Sequence, residues 1–318
     1  MAASLLLESK LYIPQRPPGQ QVARQRLLDR LHQSRAGKLT LISAPAGFGK
    51  TTLLTAWVTA TASDQHHVAW VSLDPNDNDS VSFWRYILTA LQRIQPGVSD
   101  QTLALLNSPQ PPESDTLIAV LVNEINTLAV EATLILDDYQ AITNESIHRA
   151  IAFLIAHLPP QLHLMLATRS DPPWPLGRLR VRGELTELRA ADLRFTPGEA
   201  IAFLNHVMGL DLAVADVAIL EQRTEGWIAG LQLAALSLQG RGDVSGFITA
   251  FSGGNRYVVD YLVEEVLQRQ PDDLRNFLLQ TSILEQLNSA LCNAVTEQLQ
   301  GQKTLETLER QSIRRTAG

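Results

Sequence analysis

Short apolar segments alternate with helical patterns over the first two thirds of this 318-residue chain, and this alternation is what most constrains its fold. Strands are predicted at residues 38–44, 67–74, 132–138 and 162–169, with a short candidate for a fifth at 183–189. Helical patterns separate them at 49–62, near 80–95 and 115–129, and at 145–157. Strands that are apolar throughout and separated by helices form a parallel sheet covered on both faces. The sequence therefore predicts an α/β fold of the doubly wound kind.

The pattern changes near Phe195, after which strand-like segments stop. Leucine- and alanine-rich helical segments continue to about residue 238 and again from Tyr257 to Leu279, and glycine-rich segments at 239–243 and 252–255 are predicted loops. We therefore expect four regions, with a weaker boundary near Ser252. They are an N-terminal arm and helix (1–38), the α/β domain (39–195), an all-helical domain (196–251) and a last region (252–318).

Charge and composition exclude several classes of function. The net charge is −7 and no block of lysines and arginines occurs, so the chain has no obvious electrostatic footprint for nucleic acid. The single cysteine, Cys292, excludes an internal disulfide and is typical of a reducing compartment. No apolar segment approaches the ~20 residues that a membrane helix needs. A cytoplasmic protein without a membrane partner is the prediction.

The segment SAPAGFGKTT (43–52) lies between the first predicted strand and the first predicted helix. It matches the phosphate-loop pattern, with Ala44 at the position of the first glycine. Backbone amides of such a loop bind phosphate oxygens, which requires small residues and glycine freedom. Lys50 is then expected at the β- and γ-phosphates, and Thr51 on Mg²⁺. The alternative is an ordinary glycine-rich turn. The predicted phosphate-binding residues are Ala46, Gly47, Phe48, Gly49, Lys50, Thr51 and Thr52.

Three further residues lie at the carboxyl ends of predicted strands, at the edge where open α/β sheets bind ligands. Asp137 is expected to support Mg²⁺, and Asp138 to position an attacking water, with Lys50 as the second catalytic residue. The alternative is that the two aspartates merely end a strand. Arg169 is expected to contact the γ-phosphate, and its alternative is a surface ion pair with Asp171 or Glu184. A whole strand–helix unit between the two motifs favours the ATPase class with an inserted strand.

The acidic segment DPNDNDS (74–80) lacks the glycine and the glutamate of a calcium-binding loop, so it is predicted to be a solvated loop. Cys292 lies among apolar residues and is predicted to be part of a core.

With these residues in place, the sequence resembles the MalT-like family of large ATP-binding LuxR-type transcription regulators, within the STAND class of signalling NTPases. The resemblance extends from SKLYIP to TLETLERQSI. Its most specific stretches are SAPAGFGKTTLLTAW, WVSLDPNDND, LILDDYQAI, TRSDPPWPLGRLRVRGELTELRAADLRFTPGEA, TEGWIAGLQLAALSL and NRYVVDYLVEEVL.

This resemblance implies a P-loop nucleotide-binding domain, a helical lid and a winged-helix domain. It further implies that ADP maintains a closed resting state and that ATP with an inducer favours an open form, which self-associates and activates transcription. By the same resemblance Val22 and Arg24 belong to the segment near adenine, and Arg169 senses the terminal phosphate. Ile228 stands where the family has a proline that lies against the base.

The family continues after the LETLER helix with a completed winged helix, a repeat array that senses the inducer and a DNA-binding helix-turn-helix. None of these follows here, since the sequence ends RQSIRRTAG. Three interpretations stay open: a truncated gene, a fragment, or a stand-alone switch whose partners lie on other chains. The functional hypothesis is an ATP/ADP-binding switch with slow Mg²⁺-dependent ATP hydrolysis at most, reaching DNA only through a region absent from this sequence. The alternative is a non-hydrolysing scaffold that acts on full-length relatives.

Overall fold

The computed structural model describes residues 6–15, 19, 21–62, 66–239, 244–251, 254, 256–268, 270–284 and 286–310. The predicted boundary near Ser252 and residues 240–243, 252, 253 and 255 of the predicted loops lie outside this part of the chain. The chain folds as two compact units. The first contains Ala23–Ser43, Lys50–Asp192 and the residues described before position 16. The second contains Ala44–Gly49 and the described residues from Leu193 onward, together with those between 19 and 22.

A five-stranded parallel sheet forms the centre of the first unit, as the sequence predicts. Its strands are β1 (Leu39–Ser43), β2 (His67–Ser72), β3 (Ala132–Asp137), β4 (Leu162–Thr168) and β5 (Leu185–Arg189). Their order is β2-β3-β4-β1-β5, and every neighbouring pair is parallel. Strand β4 thus lies between β1 and β3, the strands that precede the two predicted motifs. The carboxyl ends of β1, β3 and β4 consequently meet at one edge of the sheet.

Eight helices begin within the described residues of the first unit and connect or flank these strands. They are α1 (Gln25–Ser34), α2 (Lys50–Thr61), α3 (Ser80–Gln92), α4 (Asp100–Leu106), α5 (Ser114–Ile125), α6 (Glu145–His157), α7 (Gly177–Val181) and α8 (Ala190–Leu193). Every residue of β1, β3 and β4 is buried, because helices cover both faces of a parallel sheet. At about 1.5–3 kcal/mol for each fully buried large apolar side chain, this core is the main stabilising contribution to the unit.

The acidic segment at 74–80 is exposed at Pro75, Asn76 and Asp79, as predicted, but it is partly helical and buries Asp77. Pro75–Asn78 form a 3-10 turn, in which the Asp74 and Asp77 side chains cap each other's backbone. Asp77 is only 1% exposed. Lys10, from the 3-10 turn Glu8–Leu11, donates to both oxygens of Asp77 at 2.8 Å and pairs with Asp74 at 2.7 Å. The charges in this segment predict solvation. The negative charge of Asp77 can be buried because Lys10, which is distant in sequence, pairs with it.

The described residues of the second unit form helices and loops, with no strand among them. Its helices after α8 are α9 (Pro197–Ile201), α10 (Val214–Thr224), α11 (Ile228–Leu238), α12 (Val244–Ala250), α13 (Arg256–Leu262), α14 (Asp272–Thr281), α15 (Ser289–Thr296) and α16 (Gly301–Arg310). Ala202–Val207 and Val263–Leu267 are short π-helical segments. Cys292 is fully buried with Leu274, Phe277 and Leu308, which confirms its assignment to a core. None of the described helices combines the length and apolar character needed to cross a bilayer.

Candidate functional site

In the first unit, α2 and β3 bring a lysine, a threonine and an aspartate together. Helix α2 begins at Lys50, directly after the glycine-rich segment, and Lys50 is only 7% exposed. The Thr51 hydroxyl donates to Asp137 Oδ2 at 2.8 Å. Asp137 is the last residue of β3 and is 3% exposed. The structure therefore juxtaposes the two residues that the sequence predicts for a metal.

Like charges lie close to each other at this edge of the sheet. Burial, assisted by the positive charge of Arg169, lowers the pKa of Lys50 to about 8 against the attraction of Asp138 and Asp137. Burial likewise raises the pKa of Asp137 to about 6, assisted by the negative charge of Asp138. A buried and a half-buried cation beside a buried and a half-buried carboxylate are a typical feature of sites that bind charged ligands.

Asp138 occupies an unusual backbone conformation. Its φ of 57° and ψ of 39° lie in the left-handed region, which non-glycine residues seldom adopt but which aspartate tolerates. Its backbone N–H donates to Asp137 Oδ1 at 3.1 Å, and its own carboxylate accepts from Gln140 Nε2 at 2.7 Å. The chain thus turns sharply at the residue after the buried strand.

Arg169 directly follows β4, and its backbone N–H donates to Gln140 Oε1 at 3.0 Å. The two residues proposed as its alternative ion partners have other partners. Asp171 pairs with Arg189, and Glu184 lies 3.6 Å from Lys38 Nζ. Arg169 is half-buried and close enough to influence the pKa of Lys50.

In the second unit, the glycine-rich segment Ala44–Gly49 is held by the start of α11. Trp227 Nε1 donates to the Ala46 carbonyl at 3.1 Å, and the Ala229 N–H donates to the Gly47 carbonyl at the same distance. Gly47 and Gly49 both have a φ of 76°. A Cβ on Gly47 would lie 2.6 Å from the Ala229 side chain, so this position requires glycine for space as well as conformation.

The remaining predicted residues are distributed over both units. In the second unit Val22, Phe48 and Ile228 are half-buried, and Val22 and Ile228 pack against the same helical core. Ile228 Cγ2 lies 3.6 Å from the position of a Cβ on Gly49. In the first unit Arg24 is 7% exposed at the start of α1, and Thr52 is half-buried in α2.

The donor set of the first unit fits a hard divalent cation with a phosphate ligand. A threonine hydroxyl and an aspartate provide only two protein oxygens, which is typical of Mg²⁺ sites completed by phosphate oxygens and water. The juxtaposition of Lys50 with Arg169 fits an anion, because a negative group between them would relieve their repulsion. Thr51 and Asp137 would hold the metal, and Lys50 and Arg169 the phosphate.

Three residues that hydrogen-bond to the candidate site residues and to the glycine-rich segment were not predicted from the sequence. Gln140 contacts both Asp138 and Arg169, and Trp227 and Ala229 hold the carbonyl groups of the glycine-rich segment. All three lie in stretches of the sequence that resemble the MalT-like family. The bonds from Gln140 to Arg169, from Trp227 to Ala46 and from Ala229 to Gly47 join residues distant in sequence, which local patterns do not reveal.

Two cavities in the first unit lie elsewhere. One of about 280 Å³ lies between α6 and α7, and Trp174 and Arg178 are among its lining residues. The other, of about 580 Å³, lies at the amino ends of the strands, near Lys38 and His163. None of Lys50, Thr51, Asp137, Asp138 and Arg169 lines either cavity.

A parallel sheet with β4 inserted between β1 and β3, and a helix that starts with a buried lysine after a glycine-rich segment, defines the core of a P-loop NTPase. Residues 32–165 match the AAA domain family, and residues 263–314 match the MalT winged helix domain family. A crystal structure of a STAND protein with a tetratricopeptide repeat sensor from Pyrococcus horikoshii has a similar fold. The TM-score is 0.54 with 18% identity, over 97% of this chain and 41% of that one.

Two curated relatives align along nearly the whole chain. The HTH-type transcriptional regulator MalT of Yersinia enterocolitica is 37% identical over 97% of this chain and 34% of its own length. The serine/threonine-protein kinase PknK of Mycobacterium tuberculosis is 34% identical over 95% of this chain and 27% of its own length. The chain thus spans about a third or less of these relatives. The resemblance to the N-terminal portion of the MalT-like regulators is confirmed.

Proposed function

We propose that this chain is an ATP/ADP-dependent switch module of a MalT-like regulator, with slow Mg²⁺-dependent ATP hydrolysis at most. The observation that carries the proposal is the buried Lys50, which shares its surroundings with Arg169, Asp137 and Asp138. Two cations next to two carboxylates provide the charges that a phosphate chain and its metal require. The fold supports the same conclusion, because these residues follow strands at the ligand-binding edge of an open sheet.

Each side chain would contribute a separate interaction. Lys50 would neutralise phosphate charge, since its partial desolvation strengthens its attraction to an anion. Thr51 and Asp137 would hold Mg²⁺, which supplies charge neutralisation at the phosphates. Asp138 would orient a water, because its carboxylate is held in one direction by Gln140. Arg169 would contact the terminal phosphate and so distinguish ATP from ADP.

The two relatives support a switch module and not a metabolic enzyme. One is named as a protein kinase and the other as a transcriptional regulator, and both share this region with the chain. A region common to proteins of different overall activity is best explained as a module that controls its neighbours. Self-association in the ATP state, an effect on transcription and a cytoplasmic location belong to this proposal, as do adenine contacts from Val22, Arg24 and Ile228.

The test is the nucleotide released when the purified chain is denatured, quantified beside a Lys50→Ala variant. Near-stoichiometric ADP from the wild type and none from the variant is the expected result. Titration with ATP and ADP then compares Arg169→Ala with the wild type, and we expect that variant to lose the distinction between the two nucleotides. Equal affinities of wild type and Lys50→Ala for ATP would refute the proposal.

A scaffold without a nucleotide switch is the second candidate function, and exposed apolar side chains in the second unit favour it. Leu279, Ile283, Leu291 and Leu299 are 52%, 77%, 43% and 95% exposed. Contiguous patches of large exposed apolar groups are typical of interaction surfaces. Absence of nucleotide from both proteins, together with no binding of added ATP and Mg²⁺, would support the scaffold.

A further inference from the structure

Gln140 connects two of the candidate site residues through the two ends of its side-chain amide. Its Nε2 donates to Asp138 Oδ1 at 2.7 Å, and its Oε1 accepts from the backbone N–H of Arg169 at 3.0 Å. The side chain is half-buried and belongs to the 3-10 turn Tyr139–Ala141. One glutamine thus contacts the proposed water-positioning carboxylate and the backbone of the proposed phosphate sensor.

The polarity of the two partners determines the orientation of this amide. An aspartate carboxylate only accepts hydrogen bonds, and a backbone N–H only donates them. A reversed amide would bring acceptor against acceptor at Asp138 and donor against donor at Arg169. Glutamine therefore satisfies both partners, whereas glutamate could accept from the Arg169 N–H only and leucine would satisfy neither.

Gln140 also spans the ends of two neighbouring strands. The paired register of β3 and β4 extends to Leu136 opposite Leu166. Asp138 and Arg169 lie beyond that last pair, where the backbone of Asp138 turns into the left-handed region. The side chain of Gln140 thus connects the two segments past the end of the ladder.

The turn that carries Gln140 is itself held on two sides. Asn78 Nδ2 donates to the Ala141 carbonyl at 2.8 Å, and Asn78 Oδ1 accepts from the Thr143 N–H at 2.6 Å. The Tyr139 ring is 1% exposed and meets the Trp174 ring edge-on, with centroids 5.3 Å apart. Gln140 is therefore presented from a rigid support, which is what a group needs in order to position others.

We infer that Gln140 is a positioning residue of the nucleotide site, setting the Asp138 carboxylate and the Arg169 backbone together. This inference rests on the proposed function, since it assigns Gln140 a part in distinguishing ATP from ADP. A displacement of about 1 Å in a positioned group is enough to weaken its action strongly. Loss of the Gln140 bond would therefore reduce the contribution of Arg169 to ATP affinity and leave ADP affinity unchanged.

The experiment compares two substitutions by ATP and ADP titration of the full chain in the presence of Mg²⁺. Gln140→Leu removes both hydrogen bonds, and we expect the ratio of ATP to ADP affinity to fall about 5- to 10-fold, with ADP affinity within 2-fold. Gln140→Glu retains an acceptor for the Arg169 N–H but places a carboxylate against Asp138. We expect it to preserve the affinity ratio and to shift the Asp138 carboxyl ¹³C resonance.

Amide exchange measured by NMR without nucleotide tests the same contact independently of binding. The Arg169 N–H is expected to exchange at least 10-fold faster in Gln140→Leu than in the wild type, and to remain protected in Gln140→Glu. Gln161→Leu is the matched control. Gln161 immediately precedes β4, and its buried Oε1 has no hydrogen-bond partner within the described residues. Neither exchange nor affinity ratio should change in that control.

The outcomes separate the inference from the function on which it rests. An unchanged affinity ratio or unchanged Arg169 exchange in Gln140→Leu, with the wild type binding better than Lys50→Ala, refutes the inference alone. Equal ATP binding by wild type and Lys50→Ala refutes the proposed function, and the positioning role with it. A similar loss of ATP and ADP affinity in Gln140→Leu indicates a general structural role and also refutes the inference.

Discussion

The two ends of the parallel sheet in the first unit both contain buried polar residues, but these are arranged in opposite ways. At the amino end, His163 is 3% exposed, with Nδ1 donating to the Gly37 carbonyl at 2.8 Å. Its Nε2 lies 2.8 Å from Thr40 Oγ1, which in turn lies 2.7 Å from Ser34 Oγ. At the carboxyl end, Lys50 is close to Arg169, and Asp137 is close to Asp138.

The pKa values of the two ends reflect this difference. Burial lowers the pKa of His163 to about 4, so the ring is neutral at pH 7 and satisfies its neighbours without carrying charge. Burial and like charge move the pKa values of Lys50 and Asp137 to about 8 and about 6, yet both remain mostly charged at pH 7. The amino end is therefore a structural hydrogen-bond network, whereas the carboxyl end retains repulsions that a bound ligand would relieve.

The largest effect is expected from disrupting the hydrogen-bond network at the amino end of the sheet. His163→Ala removes two hydrogen bonds, leaves the Gly37 carbonyl unpartnered and creates a cavity, which together should cost about 3–4 kcal/mol of unfolding free energy. Chemical denaturation measures this loss, and nucleotide affinity should stay within 2-fold. His157→Ala, at an exposed histidine, is the control and should change stability by less than ~0.5 kcal/mol. A large loss of nucleotide affinity in His163→Ala would contradict the separation of the two ends.

Removing a charge at the carboxyl end of the sheet should weaken nucleotide binding without lowering stability. Lys50→Met is expected to weaken ATP and ADP binding by about 100-fold, or about 2.7 kcal/mol, measured by calorimetric titration. The free energy of unfolding without nucleotide should not fall, because a buried cation that faces Arg169 is removed. Lys38→Met, just before β1 at the opposite end, serves as control and should leave affinity unchanged. Equal weakening by the two variants would show that overall charge, not position, governs binding.

Asp137→Asn should stabilise the nucleotide-free protein. Asparagine can still accept from Thr51 but carries no charge against Asp138. Because the folded pKa of about 6 exceeds the ordinary 3.8, the folded state binds more protons in that interval, and stability falls as pH rises through it. At pH 7.5 the variant should gain roughly 1–3 kcal/mol of unfolding free energy and lose its response to Mg²⁺. Reduced stability at that pH would show that the charge is already compensated.

The smallest effect is a pH dependence at the amino end. The folded pKa of His163, about 4, lies below the ordinary 6.5, so the unfolded state binds more protons between these values. Stability is therefore complete above pH 6.5 and declines as pH falls towards 4. Relative to His163→Gln, the wild type should lose about 1 kcal/mol between pH 6.5 and 5.5 in denaturation curves. Parallel curves for the two proteins would exclude His163 as the titrating group.

The main elements of the fold could be predicted from the sequence, and so could the grouping of Lys50, Thr51, Asp137 and Asp138 at one edge. Apolar segments flanked by helical periodicity predict buried parallel strands, and parallel strands align their carboxyl ends. The short helix α4 was not predicted from the sequence. Strand ends shifted by one or two residues, because capping and ladder hydrogen bonds set the ends.

The sequence by itself determined the residue types that the site needs, the glycines that allow a φ of 76° at Gly47 and Gly49, and the α/β alternation. Only the tertiary structure decided that Gln140 bridges Asp138 and Arg169, and that Trp227 holds Ala46. The physical reason is the distance along the chain over which each effect acts. Periodicity and turn chemistry act over a few neighbouring residues, whereas these hydrogen bonds join groups whose proximity depends on how the whole core packs.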